Sequence, residues 1–130
     1  MGLFSMLKRL RGNKEKRRES LLHERAVVVT DTHGMITAVY PKGERQSVAW
    51  DDVTSIEVHT NDSGPWGADV WWVLRSAHSI CSYPQGATGE EEMIPKYPSL
   101  PGFDNDALIK AMRSTSNQQF ICWSRERATT

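Results

Sequence analysis

From residue 26 onward, apolar positions alternate with polar ones in short runs, and each run ends at turn-forming residues. "AVVVT" closes at the turn "DTHG", "MITAVYP" closes at "KG", and "ERQSVAW" follows. Gly34 and Gly43 supply the positive φ that such hairpin turns use. Asp51-Asp52 breaks the pattern, and "VTSIEVHT" resumes it with Ile56 and Val58 on one face. "ADVWWVLRS" gives a fifth strand, and "HSICSYP" a sixth across the turn at Ala77-His78. Short strands at regular spacing, with no long helix between them, predict an antiparallel meander.

The pattern then changes period. In "TGEEEMIPKYPSL", Thr88 stands as an N-cap with Glu91 three residues later, the spacing of a capping box. Pro95 limits that helix to one or two turns. "LPGFDNDALIKAMRS" predicts a clearer helix, capped by Asp104, with Leu108, Ile109 and Met112 as its apolar stripe. "QFICWSR" closes the chain as a strand, with Phe120 and Cys122 on one face and Ile121 and Trp123 on the other. Ahead of all this, Leu3, Phe4, Met6, Leu7 and Leu10 recur at helical spacing among Lys8, Arg9, Arg11 and Lys14. The expected fold is α+β: a six- to seven-stranded antiparallel meander sheet with one or two short helices in its C-terminal half. A basic amphipathic N-terminal helix precedes it, so that residues 1–25 form an arm and 26–130 a single domain.

Charge sharpens this division. The 130-residue chain is neutral overall, with 16 Lys/Arg against 16 Asp/Glu. Residues 1–25 carry eight Lys/Arg and three Glu, net +5, and residues 26–130 carry eight and thirteen, net −5. An acidic body disfavours nucleic acid, which needs a positive face, and favours a partner protein with a basic surface. The basic arm suits an anionic membrane surface, with Leu3, Phe4, Leu7, Lys8, Arg9 and Arg11 as the contacts. Met6 in place of Ser or Thr argues against myristoylation at the "MG" start. Cys81 and Cys122 lack CxxC or Cys/His spacing and read as buried free thiols of a reducing compartment, although sequence alone leaves a bridge open. No secretory signal and no run of about 18 apolar residues is present. The expected location is therefore the cytoplasm, peripheral to the inner membrane if the arm binds there.

Candidate chemistry is sparse. Glu90, Glu91 and Glu92 fall in the first turn of a capped helix, where the dipole favours negative charge in any protein. His59 and Asp62 leave the fourth strand together, and with Asp69 and His78 they make a His/Asp cluster for zinc or acid–base work. No HxH or HExxH spacing supports that cluster, and no G-x-S-x-G elbow marks a nucleophile. No cofactor is expected. Tryptophan is the stronger signal, with five in the chain, at 50, 66, 71, 72 and 123. Trp71 and Trp72 are adjacent on a strand and point to opposite faces, so one can enter a core beneath "ALIKAM" while the other faces out or lies under the N-terminal helix. Trp66 sits in the Gly/Pro loop "DSGPWGAD", where a lid on the core and a contact residue are both open readings. Asp62, Trp66, Asp69, Trp71 and Trp72 form the candidate partner-binding set.

The segments "VAWDDVTSIEVHTNDSGPWGADVWWVL", "PQGATGEEEM", "LPGFDNDALIKAM" and "FICW" resemble a family of small, largely uncharacterised bacterial proteins, over about residues 44–125. The "WDDVTSI" segment is also similar to bacterial pleckstrin-homology-like sheets, from which the chain departs by placing "FICWSR" after its helix. The resemblance implies a binding module and transfers no catalytic residue. The expected function is a non-catalytic protein-binding module, of the immunity-protein or adaptor type. A membrane-surface adaptor held by the basic arm is the alternative, and a small metal-dependent enzyme stands behind both.

Overall fold

The computed structural model describes residues 25–64 and 67–126, with the side chains of 62–64 and 67–69 outside that description. Seven strands form, as the periodicity predicts, but they divide into two antiparallel sheets. β1 (Val28–Thr32), β2 (Met35–Val39) and β3 (Arg45–Ala49) form the first, in that order. β4 (Ser55–Gly64), β5 (Gly67–Arg75), β6 (Ile80–Pro84) and β7 (Gln118–Ser124) form the second, in the order β6-β5-β4-β7. The single meander sheet is thus corrected to two. The break falls at Trp50–Asp52, which form a 3₁₀ turn between β3 and β4. Its Trp50 N–H donates to Gly34 O at 2.9 Å, and beyond it Thr54 N–H donates to Arg75 O at 2.7 Å. The chain therefore leaves the edge of the first sheet and enters the second beside β5.

The sheets meet where β3 runs beside β6. Gln46 Oε1 accepts from the Ser82 N–H at 2.7 Å, and the Tyr40 hydroxyl donates to Ser82 O at 2.6 Å. The inward rows of both sheets merge into one core: Val29, Ile36, Ala38 and Val48 from the first, and Ile56, Val58, Trp72, Leu74, Cys81, Tyr83, Cys122 and Trp123 from the second. Met93, Tyr97 and Ala111 close it from the helical segments. The Tyr83 and Tyr97 hydroxyls hydrogen-bond to each other inside it. Both cysteines are free and buried. They lie on the outermost strands of the second sheet, three strand spacings or about 14 Å apart, too far for a disulfide. Burial pushes the Cys81 thiol up to about 11.

The helical segments differ from expectation in instructive ways. α1 (Glu90–Met93) is a single turn continued by a 3₁₀ turn at Ile94–Lys96, as Pro95 requires. Its capping box does not form. Gly89, at φ 93°, is the N-cap, and the Thr88 hydroxyl donates to Arg25 O at 2.6 Å. The Thr88 backbone is engaged with the free edge of β1 instead, through Val29 N–H to Thr88 O and Thr88 N–H to Val27 O, each 2.9 Å. Two ladder bonds that seal a sheet edge outweigh one side-chain cap. The three glutamates also part company: Glu90 is buried and accepts from Gly86 N–H at 3.0 Å, while Glu91 and Glu92 are exposed. Burial raises the Glu90 carboxyl, and the nearby Glu91 adds to this against the Gly86 bond.

α2 (Asn105–Arg113) is capped as expected, with Asp104 Oδ1 accepting from Ala107 N–H at 2.9 Å. Its inward stripe is the buried Ala111 with the partly buried Ala107 and Leu108, whereas Ile109 and Met112 are exposed. The expected stripe is rotated by about one residue, because the helix lies on β7 through its smaller side chains. β7 itself carries a bulge. Ile121 pairs with Glu57 and Trp123 with Ile56, leaving Cys122 as the extra residue. Cys122 and Trp123 are therefore both buried, and the strict alternation expected at 120–123 fails. Among the described residues, no helix is long and apolar enough to cross a membrane. The arm expected at residues 1–25 lies outside the described residues apart from Arg25, and with it the membrane-surface set Leu3, Phe4, Leu7, Lys8, Arg9 and Arg11.

Candidate functional site

β4 and β5 form a hairpin longer than its surroundings. Their pairing runs from Ser55↔Arg75 to Asn61↔Asp69 and on to Gly64↔Gly67, with a bulge between Asn61 and Gly64. β7 follows β4 only as far as Thr60, and β6 follows β5 only from Trp71. Beyond those points the hairpin continues for about 10 Å as a ribbon of two strands, flanked on neither side by another described strand. The bulge adds twist to this ribbon. Asp62 and Asp69 belong to its arms, and Trp66 at the tip lies outside the described residues.

The outer face of the second sheet leads into this ribbon. Alternation puts Ser55, Glu57 and His59 of β4 on that face, with Trp71, Val73 and Arg75 of β5 beside them. Ile80 and Ser82 of β6 and Ile121 of β7 complete it. At its centre is Glu57, only 7% exposed. Glu57 Oε1 accepts from His59 Nε2–H at 2.8 Å, and Oε2 accepts from the Ser55 hydroxyl at 2.9 Å and from Arg75 Nε–H at 2.7 Å. Burial alone raises the Glu57 carboxyl; the bonds from His59 and Ser55 and the Arg75 charge outweigh it and leave the carboxyl below its ordinary value. Large apolar side chains frame this centre, with Ile80 46% and Ile121 52% exposed.

The depressed carboxyl has a measurable sign. A group whose pKa falls on folding stabilises the fold above its unfolded value, about 4.3, and that stability is lost as pH drops through the lower folded value. Glu57→Gln is expected to cost about 1–2 kcal/mol at neutral pH, discounted for the partial exposure of Arg75. Urea unfolding at stepped pH checks this: the gap between wild type and Glu57→Gln should narrow below about pH 4.3. A gap independent of pH would contradict the ion-pair network as its origin.

The adjacent tryptophans divide between the faces. Trp72, 2% exposed, lies in the core with its ring centroid 4.6 Å from that of Tyr97. Its cover is thus the segment after α1, where the "ALIKAM" helix was expected. Trp71 is half-buried on the outer face, opposite His59 on one side and Pro84 on the other. Burial removes Trp72 from the partner-binding set as a direct contact, and Trp71 stays in it.

The His/Asp cluster is not assembled. Asp62 and Asp69 lie in the ribbon, whereas His78 sits in the turn beyond Arg75, at the other end of β5. Six residues separate Asp69 from Arg75, or about 20 Å of strand. His59 has turned to Glu57 instead. The network does not make a nucleophilic triad either, because the Ser55 hydroxyl donates to the carboxylate rather than to the imidazole. Among the described residues, no three His, Cys, Asp or Glu side chains gather as a metal site.

Compared with known proteins, the chain matches no family model, no curated protein and no solved structure.

Proposed function

We propose that the chain is a non-catalytic protein-binding module that takes its partner on the outer face of the second sheet and along the projecting β4–β5 hairpin. The observation that carries this reading is the face itself: a polar centre whose charges are satisfied internally, framed by Trp71, Ile80 and Ile121. Such a patch loses little on desolvation, because the Glu57 carboxylate keeps its donors when water leaves. Aromatic and aliphatic side chains around a satisfied polar centre are the composition of an interface core. The net charge of −5 over residues 26–130 steers a basic partner surface toward the domain. An adaptor, or an immunity-type protein that occludes an effector, is the role that fits such a surface.

A photo-crosslinking residue placed at position 71 tests this in cells, with one at the exposed Met112 of α2 as the control. Position 71 is expected to yield an adduct with one protein species that position 112 does not. No adduct from position 71, or the same adducts from both positions, would overturn the reading.

A further inference from the structure

At the other end of β4, nine residues or about 30 Å of strand from Gly64 near the hairpin tip, lies a concave feature. Trp50, Val53, Leu100, Pro101 and Trp123 wall a cleft of about 510 Å³, with Asp51 and Arg125 at its rim. This volume lies within the range of small-ligand sites, about 300–1,000 Å³.

Both indoles are anchored from behind. Trp50 Nε1–H donates to Asp31 Oδ2 at 2.9 Å, a carboxylate also bound by Lys96, and Trp123 Nε1–H donates to Pro101 O at 2.7 Å. Their polar atoms are occupied, so the tryptophans offer a ligand only apolar ring surface. Arg125 is held just as firmly. Its Nε–H donates to Val53 O at 2.9 Å, and its Nη2 donates to Asp51 O at 3.1 Å and Trp50 O at 3.3 Å. Its guanidinium carbon lies 5.5 Å from the centroid of the Trp123 ring. All of these acceptors are main-chain carbonyls. Asp51 contributes its backbone oxygen, and no ion pair joins its carboxylate to Arg125 among the described residues. The guanidinium is thus fixed in place, and among the described residues no acceptor is recorded for its Nη1 donors.

We propose that this cleft binds a small arene carboxylate, its ring between Trp50 and Trp123 and its carboxylate on Arg125. An apolar slot with one pre-organised cation selects an anion carried on a flat apolar body. A cationic ligand is disfavoured, because Arg125 already lies over the Trp123 ring and repels a second positive charge. A peptide would also need partners for its main chain, and the indole N–H groups that line this site are taken.

The test titrates the full-length protein with indole-3-carboxylate and with its neutral isostere indole-3-carboxamide, following the indole N–H signals of Trp50 and Trp123 by NMR. The carboxylate is expected to saturate both signals and to bind at least about tenfold tighter than the amide, or about 1.4 kcal/mol. Arg125→Gln should abolish that preference. The comparison of acid with amide on the wild-type protein stands even if that variant is destabilised. Equal affinity for acid and amide, no saturation below about 10 mM, or tighter binding of N-acetylphenylalanine, which reports a peptide C-terminus, would each overturn the proposal.

Discussion

Trp72→Ala is expected to destabilise the protein by about 3–5 kcal/mol, a large part of the stability of a small domain. The indole is 2% exposed, packed at a tilt against the Tyr97 ring, and flanked across the sheet by Val58 and Tyr83. Truncation removes its transfer free energy and leaves a cavity beside the paired Tyr83 and Tyr97 hydroxyls, which cannot collapse inward without breaking their bond. Trp72 Nε1–H has no hydrogen-bond partner among the described residues, so the loss is one of volume and apolar contact. Trp72→Phe, which keeps most of the ring and deletes an unpaired donor, should cost well under half as much. Trp71→Ala, on the outer face, is expected to cost about 1 kcal/mol. Urea unfolding of the three variants checks the order. Equal losses for the two alanine variants would mean that the sheet is buried equally on both faces.

The second large effect is expected at Gly89. Its φ of 93° disfavours any side chain by about 1–2 kcal/mol. A Cβ there also falls far inside contact distance of the Val29 carbonyl oxygen. That oxygen belongs to β1, which the 87–89 segment seals through the bonds at Thr88. Gly89→Ala must therefore push the segment off the sheet edge as well as strain its own backbone, for a total of about 2–4 kcal/mol. Gly34→Ala is the control, because it shares the positive φ, 75°, but has open space around the added methyl. The control should cost only the strain, about 1–2 kcal/mol. Thermal unfolding of both variants separates the contributions, and equal losses would show that close approach to Val29 adds nothing.

Strand positions were legible because each strand has one apolar face and a turn at its end. The partner of each strand was not. Periodicity says where β3 and β4 lie, but whether they pair depends on the 3₁₀ turn at Trp50–Asp52, whose tryptophan is drawn back to Asp31 and Gly34. Bulges hid the rest. Counting back from Gly64↔Gly67 without the bulge sets Glu57 opposite Leu74 and off the face where it lies, whereas its true partner is Val73. The Glu57–Arg75 pair therefore could not be read from spacing, although "SIEVH" already aligns Ser55, Glu57 and His59 on one face. Of the tryptophans, the split between 71 and 72 was legible from strand geometry alone. The roles of Trp50 and Trp123 were not, because a bulge and a turn bring them together from positions 73 residues apart.

In the proposed function one sheet divides the labour, its inner face holding the fold and its outer face a partner. The most direct test is the dissociation constant of the partner captured at position 71, measured against wild type and Trp71→Ala. The proposed binding face predicts weakening of at least about 30-fold, or about 2 kcal/mol, with unfolding stability lowered by only about 1 kcal/mol. Unchanged affinity in a folded Trp71→Ala protein would contradict it.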